Sequence, residues 1–196
     1  MKKLVYFISA LLLSATMMAV QPVMAQTQQL TKKEQRKLEK QKKKEEREKK
    51  SKAMRAKCRN LLENKHFVFE AQKIYLPDGS NTLINTNVNF IAIKDDQIVV
   101  QFSFPGLPGP NALGGFTARG KLENWNFDPG KNSKQAMTVS GQVTPLGSTN
   151  RVVFTISVSN DGFADAQINM NSSSFRLTGQ VMSLEDADVI MGKTNF

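Results

Sequence analysis

From about His66 onward the chain alternates apolar and polar residues with a period of two. Ile98, Val100, Phe102 and Phe104 alternate with Gln97, Gln101 and Ser103, and Val152, Phe154, Ile156 and Val158 alternate with Val153, Thr155 and Ser157. Phe116, Ala118, Gly120 and Leu122 repeat the pattern, as do Met137, Val139, Gly141 and Val143, and Phe175, Leu177, Gly179 and Val181. Successive side chains of a strand point to opposite faces, so these runs read as half-buried antiparallel strands. Turn chemistry separates them at Pro77-Asp78-Gly79, Asp95-Asp96, Asp128-Pro129-Gly130, Pro145-Leu146-Gly147 and Asn160-Asp161-Gly162. The spacing predicts about eight strands, over 67–76, 86–94, 97–104, 115–127, 135–144, 150–159, 163–170 and 174–184. The fold class expected is mainly β, an antiparallel meander closed as a barrel or folded as a sandwich and preceded by a long charged helix.

Before this domain the period is lost and charge takes over. Thr31 to Arg59 holds fifteen Lys/Arg and five Asp/Glu, a net +10. Asn60 to Phe196 holds ten Lys/Arg and twelve Asp/Glu, a net −2. The sequence pI near 9.8 thus describes one segment and not the folded domain. No Pro or Gly interrupts Gln26 to Asn64. Thr31-Lys32-Lys33-Glu34 has capping-box spacing and marks the helix start. Glu39/Lys43, Glu45/Lys49, Glu46/Lys50 and Glu48/Lys52 are Glu-before-Lys pairs at i,i+4, each adding about 0.2–0.5 kcal/mol to an isolated helix. From Lys32 to Lys52 only Leu38 is large and apolar, so there is no coiled-coil seam.

The first residues read as a secretory signal. Lys2-Lys3 form the charged start, Leu4 to Val20 an apolar stretch, and Val23-Met24-Ala25 a small-x-small cleavage pattern. The expected organisation is a signal peptide over 1–25, a basic helix or linker over 26–64 and a β domain over 65–196. The two-Lys start suits a bacterial exporter. Export to the periplasm or medium follows, and without a cysteine near Gln26 the chain is not expected to be a lipoprotein. The single cysteine, Cys58, cannot form an internal disulfide. It reads as an unused thiol on the helix, with Arg55, Lys57 and Arg59 nearby as groups that could lower its pKa.

The runs FVFEAQKIYLPDGSNTLINT, GGFTARGKLENW and NDGFADAQINMNSSSFRLTGQV resemble a family of Bacteroidetes exported proteins, the domain of unknown function numbered 4251. The resemblance covers roughly His66 to Glu185. It implies a secreted or periplasmic β-rich domain and supplies no activity and no catalytic residues.

Catalytic chemistry is poorly provided for. His66 is the only histidine, so Ser/His/Asp or Cys/His catalysis would have to pass through it. Metal sites built on His or Cys clusters are excluded by count, and no phosphate-binding glycine loop follows a strand. No cofactor and no catalytic residue is expected. Carboxylates remain, at Asp95-Asp96 and Glu185-Asp186-Asp188, and keep open a carboxylate-based hydrolase acting on envelope glycans or lipids. A self-associating structural component of the envelope is a further alternative.

The leading expectation is a non-enzymatic β domain. Gly120, Gly141 and Gly179 fall on the apolar faces of three strands, where they either let a barrel curve sharply or leave room for a small hydrophobic ligand. Phe104, Phe116, Trp125 and Phe127 are the aromatic candidates for such a site. The Pro- and Gly-dense loop from Pro105 to Gly115 is a candidate rim. The basic helix reads as a solvated spacer or as an electrostatic tether, and for the tether Lys42, Lys43, Lys44, Arg47, Lys49 and Lys50 are the candidate contacts to an anionic envelope surface, phospholipid or lipopolysaccharide, within a basic stretch over 32–59. No aromatics interleave with these charges, so nucleic acid is not expected. Oligomeric state is left open.

Overall fold

The computed structural model describes residues 31–75, 78–103, 114–132, 134–145, 149–170 and 173–190. The segment read as a signal peptide, over 1–25, lies outside them, as does Phe104. The chain divides into two compact units, Met1–Lys42 and Lys43–Phe196.

Helix α1 spans Lys32–Glu63. Its start is the capping box expected from the sequence. The Glu34 backbone N–H donates to Thr31 Oγ1 at 3.4 Å, and Thr31 N–H donates back to Glu34 Oε2 at 2.9 Å. The helix stops at Lys65, which adopts φ 52°, the left-handed conformation of a C-terminal cap. Strand β1 (His66–Tyr75) begins at the next residue.

Nine further strands follow: β2 (Asn81–Leu83), β3 (Phe90–Lys94), β4 (Gln97–Ser103), β5 (Gly115–Lys121), β6 (Glu123–Asp128), β7 (Met137–Val143), β8 (Val152–Val158), β9 (Phe163–Met170) and β10 (Ser173–Met182). They form one antiparallel sheet in the order β5-β4-β3-β1-β10-β9-β8-β7-β6, with β2 paired to the far end of β1. The two strands at the ends of this order, β5 and β6, are consecutive pieces of one segment. Its first half pairs with β4 and its second half with β7. The sheet is therefore a nearly closed barrel, and one strand that changes partner at Leu122 completes it. Leu122 N–H leaves the ladder to donate to Asp96 O at 2.8 Å, and Asn124 takes φ 51°.

Three details differ from the sequence reading, the first being the short strand β2, which falls in a stretch where no strand is expected. The strand expected over 86–94 starts at Phe90, because Thr86–Val88 is one turn of 3-10 helix. Asn85 Oδ1 accepts from Asn87 N–H at 3.0 Å, a local bond that competes with the ladder. The single strand expected over 115–127 is divided, because a barrel strand that changes partner must bend.

The described inward side chains pack into one buried core. Phe67, Phe69, Ile91, Ile98, Phe102, Phe154, Ile156 and Ile168 are almost wholly buried in one cluster with the helix residues Cys58 and Leu62. A second, smaller cluster lies on the outer face of β1, β3 and β4. Val68, Phe90, Ala92 and Val99 are covered there by Leu184, Ala187 and Val189 of the segment after β10. That strap is tied down by Gln101 Nε2 donating to Ile190 O (2.7 Å) and Ile190 N–H donating to Asn87 O (2.7 Å).

Glu70 is trapped beneath the strap, 9% exposed. Burial raises its carboxyl pKa, a hydrogen bond to the Asp188 backbone opposes this, and the Asp188 carboxylate adds to the rise. The folded chain thus holds this proton more tightly than the unfolded chain. Its contribution to stability falls as pH climbs from the ordinary carboxyl range through the raised folded value. Glu70→Gln copies the protonated form. Thermal unfolding should show the variant more stable at ~pH 8, by up to about 1 kcal/mol, with the advantage gone below ~pH 4. A variant less stable at both pH values would show that the charged carboxylate is favoured.

Candidate functional site

The described candidates, Phe116, Trp125, Phe127, Gly120, Gly141 and Gly179, each pack against protein atoms of the barrel. Phe67 and Trp125 have ring centroids 6.2 Å apart, and Phe102 and Phe116 have theirs 5.6 Å apart. Trp125, Phe127 and Phe116 are partly buried against the main cluster. A Cβ placed on Gly120 would lie 2.8 Å from Val143 Cγ2, and one on Gly141 would lie 2.9 Å from Phe154 Cζ and 3.0 Å from Leu122 Cδ1. A Cβ on Gly179 would lie 1.9 Å from Glu70 O. At Gly179 the reason is backbone approach: β10 meets β1 where Gln72 is the extra residue of a bulge between Ala71 and Lys73. The glycines thus accommodate neighbouring side chains and a close strand pairing.

The charged candidates lie elsewhere. Helix α1 changes character along its length. In the first compact unit, residues 32–42 are exposed throughout. With about 100° between successive residues, Lys32, Lys33, Arg36, Lys37 and Lys40 share one side of this stretch, and Glu34 and Glu39 fall outside it. In the second unit, Lys43 to Lys50 is exposed as well. Lys50 pairs with Glu46 at 2.7 Å and Lys44 with Glu48 at 4.0 Å. Such exposed pairs contribute only tenths of a kcal/mol, and the positive charge stays in solvent.

From Ser51 the helix docks on the barrel. Arg55 fixes it. Its guanidinium donates to Pro129 O, Asn132 O, Gln135 O and Asn160 Oδ1, which binds two turns at the barrel mouth to the helix. Lys57 Nζ meets Asp186 Oδ2 at 2.9 Å. Lys65 Nζ meets Asp96 Oδ1 at 2.9 Å. Both ends of the Asp95-Asp96 turn are occupied structurally, since Asp95 N–H donates to Lys65 O. The sequence offers no clear sign of the Arg55 role, because its four acceptors lie 74 to 105 residues away.

Cys58 is buried against Gly162, with Sγ 3.6 Å from the position of a Cβ there. Burial pushes its thiol pKa up and outweighs the opposing effect of Lys57. The lowering that its cationic neighbours suggested is overturned for that reason. The remaining nucleophile candidates do not assemble. His66 Nε2 lies 3.2 Å from Glu185 Oε1 at the junction of helix and strand. Asp78 accepts from Ser80, Asp161 from Ser159 and Asp128 from the Gly130 backbone, each within its own turn. Among the described residues no group of three His, Cys, Asp or Glu side chains could hold a metal ion. Among the same residues no helix is long and apolar enough to cross a membrane.

Where the helix leaves the barrel it forms one wall of an open cleft of about 420 Å³. Arg47, Glu48, Ser51, Lys52, Arg55 and Asn160 line it. This cleft places Arg47 and Lys52 beside the barrel.

No curated protein matches the chain. A crystal structure of a DUF4251 family protein from Bacteroides eggerthii is similar in fold, with a TM-score of 0.59 and 22% identity over 70% of this chain and 92% of that one. The family described as the domain of unknown function DUF4251 matches residues 48–181, which takes in the docked turns of the helix and the barrel strands up to Val181. By that match over more than half its length, the chain belongs to the DUF4251 family.

Proposed function

We propose that this protein is an exported, non-enzymatic β-barrel domain held to anionic envelope material by its basic helix. The observation that carries the reading is the division of labour along α1. The last turns are buried in the barrel core at Cys58 and Leu62, while Lys32 to Lys50 stays exposed and carries eleven Lys/Arg against five Glu. A cation near an anionic surface contributes about 1 kcal/mol, and several held on one helix act together. Without an apolar face the helix is not suited to insert in a bilayer. The packing of Phe116, Trp125, Phe127 and the three strand glycines against protein atoms favours this partner over a small hydrophobic ligand. The scatter of Asp78, Asp128 and Asp161 among turns weighs against the hydrolase alternative, which needs two carboxyl groups facing one cleft.

The test is binding of the mature chain to phospholipid vesicles with ~30% anionic lipid and to lipopolysaccharide, with and without residues 32–50. Retention at low salt that fades between ~50 and ~200 mM is expected, because exposed charges are screened over about 10 Å at 0.1 M. Deletion of residues 32–50 should abolish it. Equal binding by the deleted chain would sink the tether reading.

A further inference from the structure

The cations of the second unit are not spread evenly around the helix. Taking Cys58 as the direction of the barrel, Arg47 lies within about 20° of it, Lys44 about 40° to one side, and Lys43 and Lys50 about 60° and 80° to the other. The three acids of this stretch, Glu45, Glu46 and Glu48, fall outside that arc of about 120°, as do Lys49 and Lys52, so the arc holds four cations and no acid and the rest of the stretch two cations and three acids. The basic side of the exposed helix is therefore continuous with the side that Cys58 and Leu62 bury against the barrel. The cleft lined by Arg47, Glu48, Ser51, Lys52, Arg55 and Asn160 lies beside this arc, with three cations against one carboxylate. Arg55 is committed to four oxygens there, which leaves Arg47 and Lys52 to face a ligand.

This geometry has a steric consequence. Because the arc shares the direction of the buried side of the helix, the barrel wall stands beside Arg47 and narrows the approach of a flat surface. A strand can enter the corner and run along the helix, over about 10 Å from Lys43 to Lys50. Between Lys32 and Glu63 there is no aromatic residue on which a base could stack. We infer that the corner formed by the basic arc and the barrel wall binds a single acidic polysaccharide strand. The inference rests on the tether reading and names its partner.

The experiment compares dextran sulfate, as the chain-like probe, with vesicles of about 30% anionic lipid and with a single-stranded oligonucleotide, at matched charge concentration and ~50 mM salt. It uses the mature chain and one relocated variant, Lys44→Glu/Glu45→Lys/Glu46→Arg/Arg47→Glu, which moves charge out of both the arc and the cleft. The variant keeps net charge and the same four residue types, but it removes the positive balance of the arc. All four positions are exposed, so the barrel should be unaffected, which a matching thermal unfolding curve checks. Dextran sulfate should bind more tightly than vesicles, and the variant should weaken it roughly tenfold or more. Tighter binding to vesicles or to the oligonucleotide overturns the polysaccharide inference and leaves the helix as a tether. Equal affinity of variant and native chain shows that net charge alone decides, and overturns the arc. No binding to any of the three probes removes the tether reading and the inference together.

Discussion

Gly179→Ala is expected to cost the barrel about 3 kcal/mol or more, at the severe end for a single methyl group. The added Cβ would sit 1.9 Å from Glu70 O, 2.8 Å from its carbonyl carbon and 2.9 Å from Ala71 Cα. All three are backbone atoms of β1, so no side chain can swing aside. Relief requires β1 and β10 to separate at the bulge, where their register already shifts between Ala71 and Lys73. Those strands join the two halves of the sheet order, so the strain falls on the pairing that holds the barrel together. Gly141→Ala is the internal comparison. Its Cβ would meet the tip of the Phe154 ring at 2.9 Å and a Leu122 methyl at 3.0 Å, and side-chain ends can shift. About 1–2 kcal/mol is expected there. Urea unfolding of both variants checks the order. Were these glycines to line an open ligand space, both substitutions would be nearly neutral, and a neutral Gly179→Ala would discard the close-approach account.

These positions show what is readable in the chain and what is not. The period of two fixes which residues face inward, and it places Val152 to Val158 and Phe163 to Met170 in strands with their edges close to those observed. Turn chemistry fixes where strands end, as at Asp161 and Gly162. Closure is different in kind. It depends on the segment 115–128 pairing with β4 on one side and β7 on the other, and neither pairing is encoded near Leu122. Inward glycines signal that something comes close, but not whether it is a ligand, a ring or a backbone. The Thr31–Glu34 capping box was legible because all its partners are local. The Arg55 pin was not, since its acceptors come from distant turns. The charge arc is a different omission: it needs only the helical period applied to Lys43, Lys44, Arg47 and Lys50, and pairwise Glu-Lys spacing conceals it.

The two halves of α1 should respond oppositely to truncation. Leu62 is fully buried in the main cluster and Cys58 is 1% exposed, so the final turns are part of the barrel core. Leu62→Ala removes buried methyl groups from a site whose neighbours are held by strands, and about 2–5 kcal/mol should be lost. The loss should also free the helix. Arg55 and Lys57 bind to turns through exposed or half-exposed contacts, and such contacts cannot hold a helix once its apolar face lets go. Amide hydrogen exchange across residues 52–63 should therefore rise in Leu62→Ala by more than global destabilisation predicts. Removing residues 26–47 should change unfolding stability by no more than about 0.5 kcal/mol, because the described part of that stretch is exposed throughout and buries nothing. If Leu62→Ala is as mild as that deletion, the helix is only an appended spacer. If the deletion is as costly as Leu62→Ala, the charged half supports the fold, and its exposed cations cannot be assigned to a partner on grounds of being dispensable to the barrel.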